Sequence, residues 1–302
     1  MLNSKSVFFL EKRAVFLINF ILIILVILSF LFHINLKYFF YFNIIVTFFL
    51  SYFFFKHSRK LAKMLIVTNL FIFFYFLYPN VSAYFSELFG AESYIFIIFY
   101  NILIAYLFLF FSGYNKNFLG DIKKINIVMI AVIILVGLSF GLFFTLIKEP
   151  IPSIFTSFSD KTGIEVIQFL LISSFLVAFS EQMIFSGFLF NVYSNLTSKH
   201  DAFYQTAIIF VMFHLLRFEV LVKHYYIYFN EMYIFYIIAY YLFLFAFMLT
   251  ALYFYSFKNE KYSGNFFYAV ILHFTADFGL FLFYFLGIWF ELQSHRATGI
   301  QR

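Results

Sequence analysis

The chain has 302 residues, of which 65% are hydrophobic, 27% are aromatic and only 11% are charged. Soluble globular domains carry about 25% charged residues, so this composition excludes a soluble domain and predicts an integral membrane protein. The 20 Lys and Arg residues outnumber the 14 Asp and Glu, and we interpret the excess as anchors at helix ends rather than as a nucleic-acid-binding surface. The absence of cysteine excludes disulfides, thiolate metal ligands and a cysteine nucleophile.

Apolar stretches of membrane-spanning character recur along the whole chain with short connections between them. A span needs about 20 residues, so we predict an all-α polytopic membrane protein with about eight to nine transmembrane helices. The stretches lie near residues 14–32, 38–55, 64–79, 94–112, 126–147, 165–193, 203–216, 231–257 and 266–290. The stretch 203–216 is short for a span, and an extension through Phe218 to Tyr228 is one way to complete it.

The distribution of basic residues predicts the orientation. Lys5, Lys12 and Arg13 precede the first apolar stretch, which is long enough to span and lacks a cleavage site, so we interpret it as a retained signal anchor. With a cytoplasmic N-terminus, most of the Lys and Arg fall on the inner side, including the basic segment 56–63. We therefore expect a protein of the cytoplasmic (inner) membrane with its N-terminus inside.

Four ionisable residues fall inside the predicted spans, where each costs several kcal/mol and is by default a functional candidate. They are Glu181, His214, His273 and Asp277. A helical rise of about 1.5 Å per residue places them about 11 to 18 Å from the cytoplasmic ends of their spans, so we expect them to share one layer of the membrane. His273 and Asp277 are four residues apart and are predicted to share a helix face.

Three segments around these residues resemble the motifs of a known family. Residues 180–187 (SEQMIFSG), 210–214 (FVMFH) and 273–277 (HFTAD) are similar to the EExxxR, FxxxH and HxxxN/D motifs of the CPBP family of CAAX proteases and bacteriocin-processing enzymes. The resemblance covers about 165–290, which we predict to be the protease core. Residues 1–150 are predicted to form N-terminal transmembrane helices without motifs, and the loop 148–164 is the predicted boundary.

The resemblance implies an intramembrane glutamic endopeptidase acting on a membrane-associated, prenylated or leader peptide. Carried over by motif position, Glu181 corresponds to the catalytic glutamate, His214 to its partner in activating water, and His273 with Asp277 to the pair that supports the oxyanion. A carboxylate removed from water is a competent general base near neutral pH, which suits this role. An ionised Asp277 cannot donate a hydrogen bond, so it either stays protonated or orients His273.

The sequence departs from the first motif at two positions. Gln182 replaces its second glutamate and Ser186 its arginine, so both members of a supporting charge pair are absent, and the two neutral residues leave no unpaired charge. Both residues, together with Phe210, are predicted neighbours of the catalytic groups, with helix packing as the simpler role for each. The two departures favour one alternative, a catalytically silent relative that binds a membrane partner or acts in immunity.

Two other functions fit the same four residues. Glu, Asp and two His form an acceptable zinc ligand set, although the sequence contains no HExxH; otherwise no cofactor is predicted. Acids and histidines in mid-membrane also line proton or substrate pathways, but the chain shows no internal repeat and no pair of interrupted helices typical of transporters. The predicted partners are the lipid bilayer and a membrane-associated peptide or protein substrate.

Overall fold

The computed structural model describes residues 45, 93–112, 118–119, 125–147, 163–214, 218–258 and 263–298. The predicted spans at 14–32, 38–55 and 64–79, the signal anchor and the basic segment 56–63 lie outside this part of the chain, apart from the single helical residue Ile45.

The described residues are almost entirely helical. Their one β-type pairing is an isolated antiparallel bridge between Lys258 and Ser263. The helices are α1 (Ser93–Ser112), α2 (Ile127–Leu146), α3 (Gly163–Gln182), a π-helix (Met183–Leu189), α4 (Phe190–Leu196), α5 (Lys199–His214), α6 (Phe218–Phe229), a 3₁₀ turn (Asn230–Met232), α7 (Tyr233–Ser256) and α8 (Phe266–Thr298). The all-α prediction holds for this part of the chain.

Four segments in the described residues are long and apolar enough to cross a membrane. They are Ile127–Leu146, Leu170–Asn195, Tyr233–Ser256 and Phe266–Tyr284. The protein is therefore an integral membrane protein with several apolar helices.

The short stretch predicted at 203–216 corresponds to α5, which begins earlier, at Lys199. The hydroxyl of Ser198 accepts a hydrogen bond from the Asp201 amide at 3.0 Å, and this N-terminal cap explains the early start. At 16 residues α5 is still shorter than a typical span. Beyond residues 215–217, the chain forms α6 as a helix of its own.

The described residues fall into two compact units. The first contains α1, the π-helix, α4 and α5. Within it, α1 and α5 pack on the π-helix, and α4 packs on α5. Aromatic contacts join these elements: the ring of Phe185 meets that of Phe210 edge-on at 4.9 Å, and Phe190 meets Phe203 in the same way at 5.2 Å.

The second unit contains α2, α3, α6, α7 and α8, with α2, α3 and α7 all packed on α8. The start of α2 is fixed by Asn126, whose side chain accepts from the amides of Val128 and Met129, while its own amide donates to the Tyr268 hydroxyl at 2.7 Å. Because Tyr268 belongs to α8, this bond ties the beginning of α2 to α8.

Two glycines let α2 approach the backbone of α8 very closely. A Cβ on Gly141 would lie 2.6 Å from the carbonyl oxygen of Ala276, and one on Gly137 would lie 2.7 Å from that of Leu272. The contact is completed by Thr145, whose hydroxyl donates to the carbonyl oxygens of Gly141 at 2.9 Å and Leu280 at 3.2 Å. The small residues thus allow the two helix backbones to approach closely, as is common in membrane proteins.

Hydrogen bonds join the described residues between the end of α7 and the start of α8. The amide of Gly264 donates to the carbonyl of Phe257 at 2.7 Å, and the Asn265 side chain accepts from the Tyr268 amide at 3.0 Å, which caps the first turn of α8. These hydrogen bonds fix where α8 begins and hence the register of the residues that follow it.

Candidate active site

Glu181 and Gln182 are the last two residues of α3, and the helix changes to π geometry at the next residue, Met183. The sequence predicted one uninterrupted helix over 165–193, and the depth predicted for Glu181 assumed an α-helical rise throughout. Every residue of the π-helix is buried. Local π-helical segments occur frequently at functional sites, so this irregularity marks the region of the first motif independently of its sequence.

The second unit brings Glu181, Gln182, His273 and Asp277 together. The His273 Nε2 atom lies 3.8 Å from Glu181 Oε2 and 3.6 Å from Asp277 Oδ2. These contacts are longer than ordinary hydrogen bonds, which fall near 2.7–3.2 Å, but close enough for charge interaction. Asp277 follows His273 by one helical turn, which places both side chains on one face of α8.

On the other side of the ring, His273 Nδ1 lies 3.0 Å from the side-chain nitrogen of Gln182. The Gln182 side chain is completely buried. Helix packing was the simpler role predicted for Gln182 from the sequence. In the structure its side chain makes a direct polar contact with the candidate catalytic residue His273. The position of Gln182 next to Glu181 was the one sequence signal that it lies near the site. Its partner His273 is on another helix, so the contact could not be identified from sequence spacing.

The side chains of His273, Glu181 and Asp277 are buried to different extents. The His273 side chain is 6% exposed, whereas those of Glu181 and Asp277 are 22% and 29% exposed. An edge-on contact from Phe247 of α7, with ring centroids 5.0 Å apart, packs against the imidazole. The ring is therefore enclosed by Phe247 and its polar partners, while part of the Glu181 and Asp277 side chains remains exposed.

The first unit contains His214, Phe210 and Ser186. His214 is the last residue of α5, and its Nδ1 lies 2.9 Å from the carbonyl oxygen of Phe210, four residues earlier. The Phe210 ring also contacts the imidazole, with centroids 4.5 Å apart. Phe210 therefore supports His214 with both its backbone and its side chain. The expected association of His214 with Glu181 stays a prediction.

Ser186 lies fully buried within the π-helix. Its carbonyl oxygen and that of Gly187 lie 3.4 and 2.6 Å from the side-chain nitrogen of Asn191, which donates to them. Asn191 lies outside the three motif segments, so no sequence signal pointed to it. Side chains commonly satisfy backbone carbonyls at the ends of helices, and Asn191, two residues beyond the π-helix, does so here for carbonyls within it.

No three His, Asp or Glu side chains in the described residues are arranged so that they could hold a metal ion. The polar group of the second unit is instead a set of one imidazole, two carboxyl groups and one amide. In an apolar protein these groups can exchange protons with water and donate hydrogen bonds to a developing negative charge.

Comparison with known proteins identifies the part of the chain that holds this group. Residues 163–279 match the family model described as Type II CAAX prenyl endopeptidase Rce1-like. No curated protein and no solved structure matches the chain. The matched segment begins with α3 and ends two residues after Asp277, so it includes all three motifs. The similarity therefore covers the segment with all three motifs and points to the Rce1-like CAAX prenyl endopeptidases of the CPBP family.

Proposed function

We propose that this protein is an intramembrane endopeptidase that hydrolyses a membrane-associated peptide, with prenylated C-terminal peptides and leader peptides as the candidate substrate classes. The observation that carries the proposal is the contact of His273 with both Glu181 and Asp277 inside a helical membrane domain. Burying two acids and an imidazole among apolar helices is costly, and function is the usual reason for retaining such residues.

In the proposed reaction, Glu181 takes a proton from water, and His214 assists this activation. The resulting hydroxide attacks the carbonyl carbon of the scissile peptide bond, and the negative charge moves to the carbonyl oxygen. His273 donates its Nε2 proton in a hydrogen bond to this oxyanion, which stabilises the tetrahedral intermediate. Collapse of the intermediate breaks the C–N bond, and the proton held by Glu181 passes to the leaving amine.

Asp277 acts on His273 in this proposal rather than on the substrate. An ionised carboxyl group cannot donate to an oxyanion, but it can orient a ring N–H that lies 3.6 Å away. The reaction uses water and side chains only, so we propose that no metal or organic cofactor takes part.

The arrangement in the membrane is part of the same proposal. We place the protein in the cytoplasmic membrane with its N-terminus inside and with eight to nine transmembrane helices. Residues 1–150 form helices outside the protease core, which extends over 165–290. The site opens toward the cytoplasm, where prenylated or leader peptides are available.

The test compares peptide termini in cells that carry the wild-type protein or Glu181→Gln at equal abundance. This substitution keeps the size of the side chain and removes the base, so we expect a defined set of cleaved termini to disappear. General bases contribute about 10²- to 10⁴-fold to a rate, which is large enough to remove a cleavage product from view.

Glu231→Gln is the matched control, because it makes the same chemical change at an exposed position of the 3₁₀ turn. This variant should preserve the wild-type termini. Identical termini in wild-type and Glu181→Gln cells, together with a phenotype on deletion of the whole gene, would overturn the protease proposal. That outcome favours a catalytically silent relative acting through a binding partner.

A further inference from the structure

The contact between Gln182 and His273 determines more than the position of the ring. Two histidine tautomers exist, with the proton on either Nδ1 or Nε2, and the hydrogen-bond partner of one nitrogen selects the state of the other. At His273 the partner of Nδ1 is the side-chain nitrogen of Gln182 at 3.0 Å. An amide nitrogen can only donate, so Nδ1 must accept with its lone pair.

The groups on the opposite side of the ring favour the same state. Nε2 faces carboxyl oxygens of Glu181 at 3.8 Å and Asp277 at 3.6 Å. Ionised carboxylates offer only lone pairs, which repel a ring nitrogen that also presents a lone pair and attract one that carries hydrogen. A neutral ring with its proton on Nε2 accepts from Gln182 and turns an N–H, rather than a lone pair, toward both carboxyl groups.

The helices packed on α8 add no other charge that the structure places against the ring. α2 has no titratable side chain, and α7 reaches the imidazole with the phenyl ring of Phe247. Among the described residues, the titratable groups recorded against His273 are Glu181 from α3 and Asp277 from α8 itself.

A glutamate at position 182, as in the family motif that the sequence resembles, would have a different effect. An ionised carboxylate can only accept, so it would require a proton on Nδ1. A neutral ring would then present a lone pair to Glu181 and Asp277, and it could donate from Nε2 only after gaining a second proton. With glutamine at position 182, the ring of His273 can donate from Nε2 with one ring proton, whereas with an ionised glutamate it would need two.

We propose that Gln182 is a positioning residue that holds His273 as the neutral tautomer with its proton on Nε2. His273 can then donate a hydrogen bond toward Glu181, Asp277 or a bound oxyanion without becoming an imidazolium. The catalytic consequence rests on the proposed peptidase function, whereas the tautomer itself does not.

The direct test is nitrogen NMR of the full-length protein, labelled with ¹⁵N in its histidine rings and held in lipid nanodiscs. His273→Gln identifies the His273 signals by their loss. We expect the wild-type ring to show one protonated nitrogen, Nε2, and one unprotonated nitrogen, Nδ1. In Gln182→Glu the proton should appear on Nδ1, either alone or together with Nε2.

Gln168→Glu is the control, since it makes the same change on α3 at an exposed position. It should leave the His273 signals unchanged. A wild-type ring with a protonated Nδ1 would overturn the proposal, and this result does not depend on whether any variant folds. Identical His273 spectra in folded Gln182→Glu and wild-type protein would also overturn it.

A second readout follows once a cleaved peptide is known. The wild-type site should keep its cleavage rate as the pH rises, because its donor is already present on a neutral ring. Gln182→Glu needs an imidazolium, which is present at low pH, so its rate should fall as the pH rises. A purely structural role for Gln182 would lower the rate by the same factor at every pH, and that result would contradict the positioning role.

The outcomes separate the two proposals. The expected NMR spectra support the tautomer, and if peptide termini in wild-type and Glu181→Gln cells are identical while deletion of the gene gives a phenotype, the peptidase function is overturned. Loss of termini in Glu181→Gln, together with a protonated Nδ1 in the wild-type ring, supports the peptidase and overturns the role of Gln182.

Discussion

The two units each hold one candidate histidine, and they support it in opposite ways. In the first unit, His214 uses Nδ1 to donate to the Phe210 carbonyl of its own helix. In the second, His273 uses Nδ1 to accept from Gln182, a side chain of a different helix. A backbone carbonyl can only accept, so His214 has its proton on Nδ1 and presents Nε2 as a base when neutral.

The contrast assigns complementary chemistry to the two rings. His214 is suited to take up a proton at Nε2, as a residue that assists water activation must do. His273 is suited to donate from Nε2, as a residue that stabilises an oxyanion must do. The hydrogen bond recorded for His214 is to a backbone carbonyl of its own helix, whereas that of His273 joins side chains of two different helices.

The largest expected effect comes from removing either ring. His214→Leu and His273→Leu should each reduce cleavage by about 10²-fold or more, measured on the termini that depend on Glu181. We expect a difference in stability, because His273→Leu removes the hydrogen bond of the fully buried Gln182 amide, at a cost of about 1–3 kcal/mol, whereas the Phe210 carbonyl that His214 contacts belongs to its own helix. Thermal unfolding in detergent should therefore show the lower midpoint for His273→Leu, and equal midpoints would contradict the distinction between local and tertiary support.

The next effect concerns the helix crossing behind His273. Gly141→Ala places a methyl group 2.6 Å from backbone atoms of α8, so α2 and α8 must separate, at a cost of about 1–3 kcal/mol. Gly279→Ala is the matched control from the same crossing, where the nearest atom would be a side-chain carbon of Leu138 at 3.3 Å. We expect a clear fall in unfolding midpoint and in cleavage for Gly141→Ala and a small change for Gly279→Ala. A larger loss in Gly279→Ala would show that backbone contact does not set the position of α8.

The smallest effects are expected at the aromatic neighbours of the two rings. Phe210→Leu leaves the backbone carbonyl that holds His214, so the cleavage rate should change little although the core contact with Phe185 is lost. Phe247→Leu removes the ring that packs edge-on against His273, a contact of about 0.5–1.5 kcal/mol, and should slow cleavage more. The cleavage rates of the two variants are measured on equal amounts of folded protein. Slower cleavage by Phe210→Leu than by Phe247→Leu would contradict the contrast between His214 and His273.

The sequence was sufficient for properties that depend on local composition. The apolar stretch 126–147 corresponds to α2, and the stretch at 266 begins where α8 begins, since long apolar runs and polar turns are visible residue by residue. The shared face of His273 and Asp277 follows from helical periodicity alone. These features require no knowledge of which helices pack together.

Other features arise from tertiary structure and could not be predicted in this way. The π-helix at Met183–Leu189 has no distinctive composition, and α6 appeared only as a possible extension of a short span. The bond between Gln182 and His273 joins residues 91 positions apart, so no spacing rule could find it. The catalytic roles of Glu181, His214, His273 and Asp277 stay predictions, which the experiments above address.

The glycine-mediated crossing of α2 and α8 has a consequence for how the site responds to its lipid environment. Because backbone atoms meet directly at Gly141 and Ala276, and Thr145 bonds across the crossing, the two helices cannot slide past each other without losing these contacts. A thinner or thicker bilayer is usually accommodated by helix tilt at a cost of fractions of a kcal/mol per ångström. We expect α2 and α8 to tilt as one body, so that His273 and Asp277 keep their place against α2 in membranes of different thickness.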